Sequence, residues 1–344
     1  MRNLLESRGG HGRRRTTTNR RAAVIAAFVL GCLTLAPPHP AHAQTIPIRV
    51  TLLGTGSPIP SMDRFGPATL VEAGGQRLLF DAGRGASQRL WQLKVPLGAI
   101  DALFLTHLHS DHTVGIPDIW LTSRLPTPYG QRDAPLEVWG PDGTRDMMSN
   151  MHEAYAWDVR IRNEAEGIPV AGSSIVAHDV AEGVIYDRDG VKVTAFLVDH
   201  GEALRPALGY RVDHAGHSVV ISGDTRPSEN LVRHATGTDL LVHEIAAARP
   251  ELLARSPSAP VARRILGWHT SPEEAARVFS QAQPKLAVLT HIVLLTTDPA
   301  FPPPSAEDVM TRLGAAWKGR SVLGEDLMQI EIGDSVVVHR ATPR

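Results

Sequence analysis

The feature of this sequence that most constrains its fold is a cluster of metal-binding residue types directly after a short apolar stretch. Residues 102–106 are largely apolar, and the next six contain His107, His109, Asp111 and His112. In an extended chain His107 and His109 point the same way, and a turn into a helix would direct the other two to a second point nearby. Imidazole and carboxylate are the ligands that zinc accepts where thiolate is absent. Because one ion needs only three or four protein ligands, the cluster predicts two neighbouring metal ions.

Three more candidate ligands recur downstream in one structural context. His200, Asp224 and His291 each follow a stretch that reads as an apolar strand. In α/β folds, functional groups gather at the carboxyl ends of strands, where loops can shape a crevice. A single histidine in this position is usually an ordinary structural residue, but three candidates beside the first cluster favour one shared metal site.

Predicted strands and helices alternate in both halves of the chain. Residues 46–53 read as a strand, residues 271–281 as a helix capped by Ser271, and residues 329–332 and 335–338 as a closing hairpin. Residues 160–189 are polar, and their structure is left open. The alternation predicts two facing sheets with helices outside, a four-layer αβ/βα sandwich, although the pattern alone does not separate this from other α/β folds.

The first 43 residues have the order of a secretory signal. Arginines precede an uncharged apolar run over residues 22–36, and Ala-His-Ala at residues 41–43 offers a cleavage site before Gln44. The run of about 15 residues is shorter than the roughly 20 that a membrane-spanning helix needs, so no stable anchor is expected after cleavage. An arginine pair also permits a twin-arginine signal, and Cys32 weakly matches a lipoprotein box. We expect residues 1–43 to be a signal peptide and residues 44–344 a periplasmic or secreted hydrolase domain.

Taken in order, these motifs resemble the metallo-β-lactamase superfamily, and within it the ribonuclease Z and arylsulfatase-like branch. The segment from His107 to His112 is similar to the HxHxDH signature of that superfamily. Further matching stretches lie at residues 53–60, 80–83, 199–201, 209–211, 222–225, 243–244, 269–271 and 290–292. The resemblance therefore covers most of the chain after the leader, and it implies the four-layer fold and a metal-dependent hydrolase.

The resemblance also implies roles for individual residues. Seven ligands would hold two zinc ions, with other divalent metals open: His107, His109 and His200 on one ion, Asp111, His112 and His291 on the other, and Asp224 between them. Asp81 would orient the metal-binding loop, and His243 and Glu244 would support the site. His269 would face the substrate without binding metal. The ions would lower the pKa of a water held between them, Asp111 could take its proton, and His269 could protonate the leaving oxygen.

The substrate expected from the sequence is a small anionic ester. The formal net charge is −1, and only residues 213–217 separate the two strands between which ribonuclease Z proteins of bacterial type carry a basic tRNA-binding arm. With export, these features argue against nucleic acid as a partner and favour an aryl or alkyl sulfate or a phosphodiester. Tyr155, Trp157 and Arg160 are expected to line the pocket, or alternatively to form a partly buried helix face.

Three alternatives stay open. A lactonase or β-lactamase-type acyl hydrolase would share the metal ligands. A ribonuclease Z-like endonuclease is disfavoured by the missing tRNA-binding arm and by export, and a zinc-binding module would lack catalysis. The mature chain could also form a homodimer.

Overall fold

Two facing β-sheets with helices on their outer faces make up the computed structural model, which describes residues 46–341. The predicted signal peptide and its cleavage site therefore lie outside the described residues. The strands of the first half are β1 Ile48–Gly54, β2 Ala68–Ala73, β3 Gln76–Phe80, β4 Ala102–Phe104, β5 Leu136–Gly140, β6 Ile175–Asp179 and β7 Gly183–Arg188. Those of the second half are β8 Val191–Val198, β9 Ala207–His214, β10 His217–Ile221, β11 Leu240–Ala248, β12 Leu286–Leu295, β13 Ser321–Leu323, β14 Gln329–Ile332 and β15 Val336–His339.

Ten α-helices lie among these strands in the described residues. They are α1 Ala86–Gln92, α2 Ser110–Thr113, α3 Ile116–Ser123, α4 Thr144–Ala154, α5 Ala156–Ala165, α6 Glu229–Ala235, α7 Pro250–Arg255, α8 Ala259–Leu266, α9 Pro272–Ala282 and α10 Ala306–Ala316. The predicted capping of α9 is present, because the Ser271 hydroxyl accepts a hydrogen bond from the Glu274 N–H while the Glu274 side chain accepts one from the Ser271 N–H. No helix within residues 46–341 is both long and apolar enough to cross a membrane.

The first sheet has the strand order β15-β14-β1-β2-β3-β4-β5-β6, and the second has the order β13-β12-β11-β10-β9-β8-β7. Each sheet combines an antiparallel part with a parallel part: β3 to β6 run parallel in the first sheet, and β10 to β13 in the second. The predicted four-layer α/β sandwich is confirmed. Residues 160–189, left open by the sequence, form the end of α5 and the strands β6 and β7 at the sheet edges.

The main core fills the space between the sheets because each strand places alternate apolar side chains on its inner face. Phe80 and Phe104 stack at a centroid distance of 4.9 Å, and Tyr210 reaches them from the opposite sheet. The Tyr210 hydroxyl donates to the Leu105 carbonyl oxygen over 2.5 Å, and the Leu208 N–H donates to the Thr106 carbonyl oxygen over 2.8 Å. These contacts join the two sheets where the metal-binding motif begins.

Separate apolar clusters hold the helices against the outer faces. Helices α1, α3, α4 and α5 pack on the first sheet, and α6, α9 and α10 pack on the second. Helices α7 and α8 cover the extended ends of β11 and β12 through a small cluster that includes Leu252 and Ala262. This last pair of helices leads directly to His269, and it therefore lies beside the candidate site.

Candidate metal centre

The cluster of the sequence motif lies at the carboxyl end of β4. His107 and His109 stand on the extended segment after that strand, and Asp111 and His112 lie in the short helix α2 that follows. Strand alternation directs the two histidines to one side, and the first helical turn directs the other two side chains back toward them. The ring centroids of His107 and His109 are 4.7 Å apart, and those of His107 and His112 are 4.1 Å apart.

The second sheet supplies the three remaining candidates. His200 follows β8 and Asp224 follows β10, as the sequence predicts, but His291 lies inside β12 and not at its end. Thr290 pairs with Glu244 and Ile292 with Ile245, so His291 is an extra residue in a bulge. Its φ of 42° lies in the left-handed region, which is unfavourable for histidine. Such strain is typical of functional sites, and here the bulge gives His291 its place in the cluster.

Asp224 occupies the centre of the cluster. Its Oδ2 atom lies 3.3 Å from His291 Nε2, 3.5 Å from His112 Nε2, 3.7 Å from His200 Nε2 and 4.0 Å from His107 Nε2. Burial alone would raise the pKa of Asp224, but the charges of His291 and His112 hold it well below its usual range. One buried carboxylate therefore faces imidazoles from both sheets.

The structure brings the predicted ligands into two groups. The donor atoms within each group lie within 4.8 Å of one another, and the groups are His107, His109 and His200 on one side, and Asp111, His112 and His291 on the other. Asp224 forms a further group with His107 and His112, and two more groups contain His269, one with His200 and Asp224 and one with Glu244 and His291. This is the division that the family resemblance implies, with the aspartate between the two triads.

The donor atoms fit a divalent cation. His112 Nε2, His200 Nε2 and Asp224 Oδ1 are fully buried, and none has a hydrogen-bond partner. An unsatisfied polar atom in the interior costs about 1–3 kcal/mol, so several facing one space point to a missing positive partner. Burial lowers the pKa of His107 and of His200, which keeps both rings neutral with a lone pair available for metal.

Asp81 orients this ligand set from behind. Its carboxylate accepts a hydrogen bond from His112 Nδ1 over 2.7 Å, one from the Thr106 N–H over 2.8 Å and one from the Thr106 hydroxyl over 2.9 Å. The bond to Nδ1 fixes the ring so that Nε2 faces the cluster. Asp81 itself has a φ of 57°, another strained conformation next to the site.

Glu244 and His269 form a buried pair on the opposite wall. Glu244 Oε2 lies 3.3 Å from His269 Nδ1, while Glu244 Oε1 accepts the Thr270 N–H over 2.7 Å. Burial lowers the pKa of His269, but the Glu244 carboxylate more than offsets this and raises it to about 9. The ring lies 5.1 Å from that of His200 and 5.5 Å from that of His291. His269 therefore stands at the edge of the ligand set with Nδ1 facing the Glu244 carboxylate, whose charge favours the protonated ring.

The other predicted site residues lie farther out. His243 is buried, its Nδ1 atom donates to the Glu244 carbonyl oxygen over 2.5 Å, and its ring packs on Phe279. Tyr155 packs edge-on against Trp120 in the outer helical layer, and the Arg160 guanidinium lies 4.8 Å from the centre of the Trp157 ring. The three predicted pocket residues therefore make these contacts within the helical layer that lies outside the first sheet.

Two contributors escape the sequence prediction. Thr106 joins Asp81 to the motif, and its hydroxyl lies 3.0 Å from His107 Nδ1. The backbone carbonyl of Trp268 accepts a hydrogen bond from His200 Nδ1 over 2.9 Å. Thr106 is the first residue of the motif and could have been included on that ground. No sequence signal marks the carbonyl of Trp268, because any residue provides one.

Comparison with known proteins identifies the relatives of this architecture. A family model described as a beta-lactamase superfamily domain matches residues 76–292. A protein named Ribonuclease Z from Mycobacterium sp. (strain KMS) is 38% identical over 294 residues, covering 86% of this chain and 99% of the relative. A protein of the same name from Mycobacterium marinum is 37% identical over 285 residues, covering 83% and 99%.

Solved structures share the fold. The human tRNase Z short form has a TM-score of 0.62 at 24% identity, covering 83% of this chain and 99% of its own. The metallo-beta-lactamase fold protein YhfI from Bacillus subtilis has a TM-score of 0.62 at 16% identity, covering 82% and 99%. At these identities the likeness supports the fold, and the fold and the donor set together imply divalent metal binding.

The expectation of a small anionic ester, and the argument against nucleic acid, are wrong. Relatives that are 36–38% identical over most of the chain are named Ribonuclease Z, and nothing in the comparisons supports an exported sulfatase. The two-residue turn of Ala215 and Gly216 between β9 and β10 does exclude an arm at that connection. The missing arm does not decide the substrate, because an arm would grip the substrate and would take no part in the metal centre. The chain belongs to the metallo-β-lactamase superfamily and, within it, to the ribonuclease Z branch.

Proposed function

We propose that this chain is a metal-dependent endoribonuclease that hydrolyses a phosphodiester bond in RNA, with precursor tRNA as its substrate class. The observation that carries the proposal is the match to mycobacterial proteins named Ribonuclease Z at 36–38% identity over 98–99% of their length. The buried donor set and the Glu244–His269 pair supply the chemistry that such a reaction needs.

We propose two zinc ions as the resident metals. Seven donors exceed the four ligands of a single zinc ion, and all of them are nitrogen or oxygen atoms. Asp224 would lie between the ions because its carboxylate faces both triads. When bound, the ions supply positive charge that offsets the charge of the reacting phosphate and make a water acidic enough to attack near neutral pH.

Two side chains move the protons. Burial would raise the pKa of Asp111, but the hydrogen bond from His291 holds it below its usual range, so the carboxylate is ionised and can accept a proton from the attacking water. The water oxygen forms a bond to phosphorus, and the bond from phosphorus to the leaving oxygen breaks. His269 donates the proton that the leaving oxygen requires, from Nε2, since Nδ1 faces Glu244.

Residues 1–43 carry a separate proposal, made on sequence alone. We propose that they direct export and are removed before Gln44. Precursor tRNA lies in the cytosol, so an exported protein would not meet it, and recovery of the mature protein outside the cytosol would restrict the proposed RNA substrate to RNA outside the cytosol.

The proposed activity is tested with a transcribed precursor tRNA carrying a 3′ extension, incubated with purified protein with and without chelator. The same tRNA without the extension is the control, and nitrophenyl sulfate and a nitrophenyl lactone analogue are run beside it. The proposal expects one endonucleolytic cut that chelator abolishes and no cut in the control RNA. Hydrolysis of the sulfate or the acyl compound with intact RNA would refute it.

A further inference from the structure

An exposed tryptophan stands next to the proposed proton donor. Trp268 is 39% exposed although His269, the next residue, is buried. The Trp268 carbonyl oxygen accepts a hydrogen bond from His200 Nδ1 over 2.9 Å, so the Trp268 backbone is tied to the ligand set. The indole side chain faces outward. A large apolar side chain left open to water beside a site is a recurring mark of a binding surface.

The indole has a defined resting place. It lies against the backbone of Gly201, where an added Cβ atom would come within 3.2 Å of Trp268 Cδ1. Gly201 has a φ of 94°, a conformation that glycine adopts without strain. Gly201 thus leaves room for the ring. One edge of the indole packs on the Gly201 backbone, and a large part of its surface stays accessible to solvent.

Three exposed arginines lie on the segments that lead to this ring or flank it. Arg264 is exposed one helical turn before Trp268, and Arg255 is exposed on α7. Arg205 is exposed in the loop that begins at Gly201. Within residues 46–341, none of these three guanidinium groups forms an ion pair, unlike Arg249 at the start of α7, which pairs with Asp308. Exposed arginines and an exposed aromatic ring are the side chains with which proteins bind single-stranded nucleic acid.

We propose that Trp268 stacks on an unpaired base of the RNA next to the cleaved bond, and that Arg205, Arg255 and Arg264 bind the adjoining phosphates. This inference rests on the proposed function and names the surface that holds the substrate in a chain whose β9–β10 turn carries no arm. A single-stranded segment fits because a base in a duplex has no free face for the indole, whereas an unpaired base does.

The experiment compares wild-type protein with Trp268→Ala, Trp268→Phe and Trp157→Ala. Trp157 is the matched control, since it is 69% exposed on the outer helical layer with Arg160 over its ring. The probe is a fluorescent RNA hairpin with a single-stranded 3′ tail whose phosphorothioate linkages slow hydrolysis, and a second hairpin has abasic sites in the tail. Dissociation constants are measured by anisotropy, and hydrolysis of bis-nitrophenyl phosphate reports on the metal centre.

Trp268→Ala should weaken binding of the tailed hairpin by about 5- to 150-fold, the usual loss for one stacked base. Trp268→Phe should recover most of this loss, Trp157→Ala should bind as wild type, and the abasic tail should bind wild type and Trp268→Ala alike. Hydrolysis of bis-nitrophenyl phosphate by each variant shows whether the hydrogen bond from His200 to the Trp268 carbonyl oxygen is kept. A fall in this hydrolysis that matches the fall in RNA affinity would overturn the inference, because the loss would then lie at the metal centre.

Equal affinity of wild type and Trp268→Ala for the tailed hairpin would overturn the inference, even if precursor tRNA is cleaved. So would a wild-type protein that does not bind the hairpin. If wild type binds the hairpin and Trp268→Ala loses that affinity, but precursor tRNA is never cut, the base contact stands and the proposed endonuclease activity fails.

Discussion

Replacing Glu244 by glutamine isolates the group that keeps a proton on His269. The carboxylate lies 3.3 Å from His269 Nδ1, and its other oxygen accepts the Thr270 N–H over 2.7 Å. Glutamine has the same shape, and its amide oxygen can retain the bond to Thr270. Its NH₂ group then faces His269 and favours the neutral ring, so the substitution removes the charge and preserves the local fold.

The size of the effect follows from the His269 pKa. In wild type, Glu244 offsets burial and raises that pKa from 6.5 to about 9. The difference corresponds to about 3 kcal/mol in favour of the imidazolium form. In Glu244→Gln the largest influence that raises the pKa is lost, and burial is opposed mainly by the Asp224 carboxylate, so the pKa falls toward its ordinary value of 6.5. A return to 6.5 would lower the fraction of His269 able to donate a proton at pH 8 by about 30-fold.

The assay is kcat/KM against pH for RNA and for bis-nitrophenyl phosphate. Wild-type cleavage of RNA should fall as pH rises through the His269 pKa, which the Glu244 carboxylate raises and the cations proposed at the site lower. Glu244→Gln should lose activity at a lower pH than wild type, and its loss at pH 8 should be much smaller for the nitrophenyl ester, whose leaving group needs no proton. Glu273→Gln, which breaks an exposed ion pair with Arg312, is the control. Identical pH profiles for wild type and Glu244→Gln would refute the role of the pair.

The other predictions concern metal binding and processing. Asp224→Ala should lose bound zinc and activity together, whereas His269→Ala should keep about two zinc ions and lose roughly 10²–10⁴ in rate, as measured by metal analysis and RNA cleavage. Asp81→Asn should weaken zinc affinity by about 10- to 100-fold in a chelator competition, because it disturbs the hydrogen bond that orients His112. N-terminal sequencing of protein from producing cells should begin at Gln44. Equal zinc loss in Asp224→Ala and His269→Ala would make His269 a ligand. Unchanged zinc affinity in Asp81→Asn would remove the orienting role of Asp81. An intact Met1 in protein from the cytosol would overturn export.

The metal centre was largely predictable because its spacing is local. His107 and His109 differ by two positions and Asp111 and His112 begin a helix, so strand and helix periodicity already bring them together. The place of His291 was only partly predictable. The sequence suggests that the strand ends at Thr290, but β12 continues to Leu295 with His291 in a bulge, and hydrophobic periodicity does not reveal one extra residue.

The substrate was not predictable from the ligand motif. The ligands determine how a bond is broken, whereas the surfaces around them decide which molecule reaches them. Helices α7 and α8 were not predicted at all, because each is short, although Pro250 and Pro260 at their first turns are helix-start signals. The sequence correctly predicts that the turn of Ala215 and Gly216 carries no arm. The conclusion that nucleic acid is therefore not the substrate is wrong.

In the proposed mechanism the buried histidine and aspartate set holds the metal that cleaves RNA, and a zinc titration of the stripped protein tests this most directly. Protein freed of metal by chelator is titrated with zinc while cleavage of 3′-extended precursor tRNA is followed. We predict no cleavage at the start and a plateau at about two zinc ions per chain, in keeping with four ligands or fewer on each ion. Full cleavage by stripped protein, or no cleavage at any zinc concentration, would contradict the account.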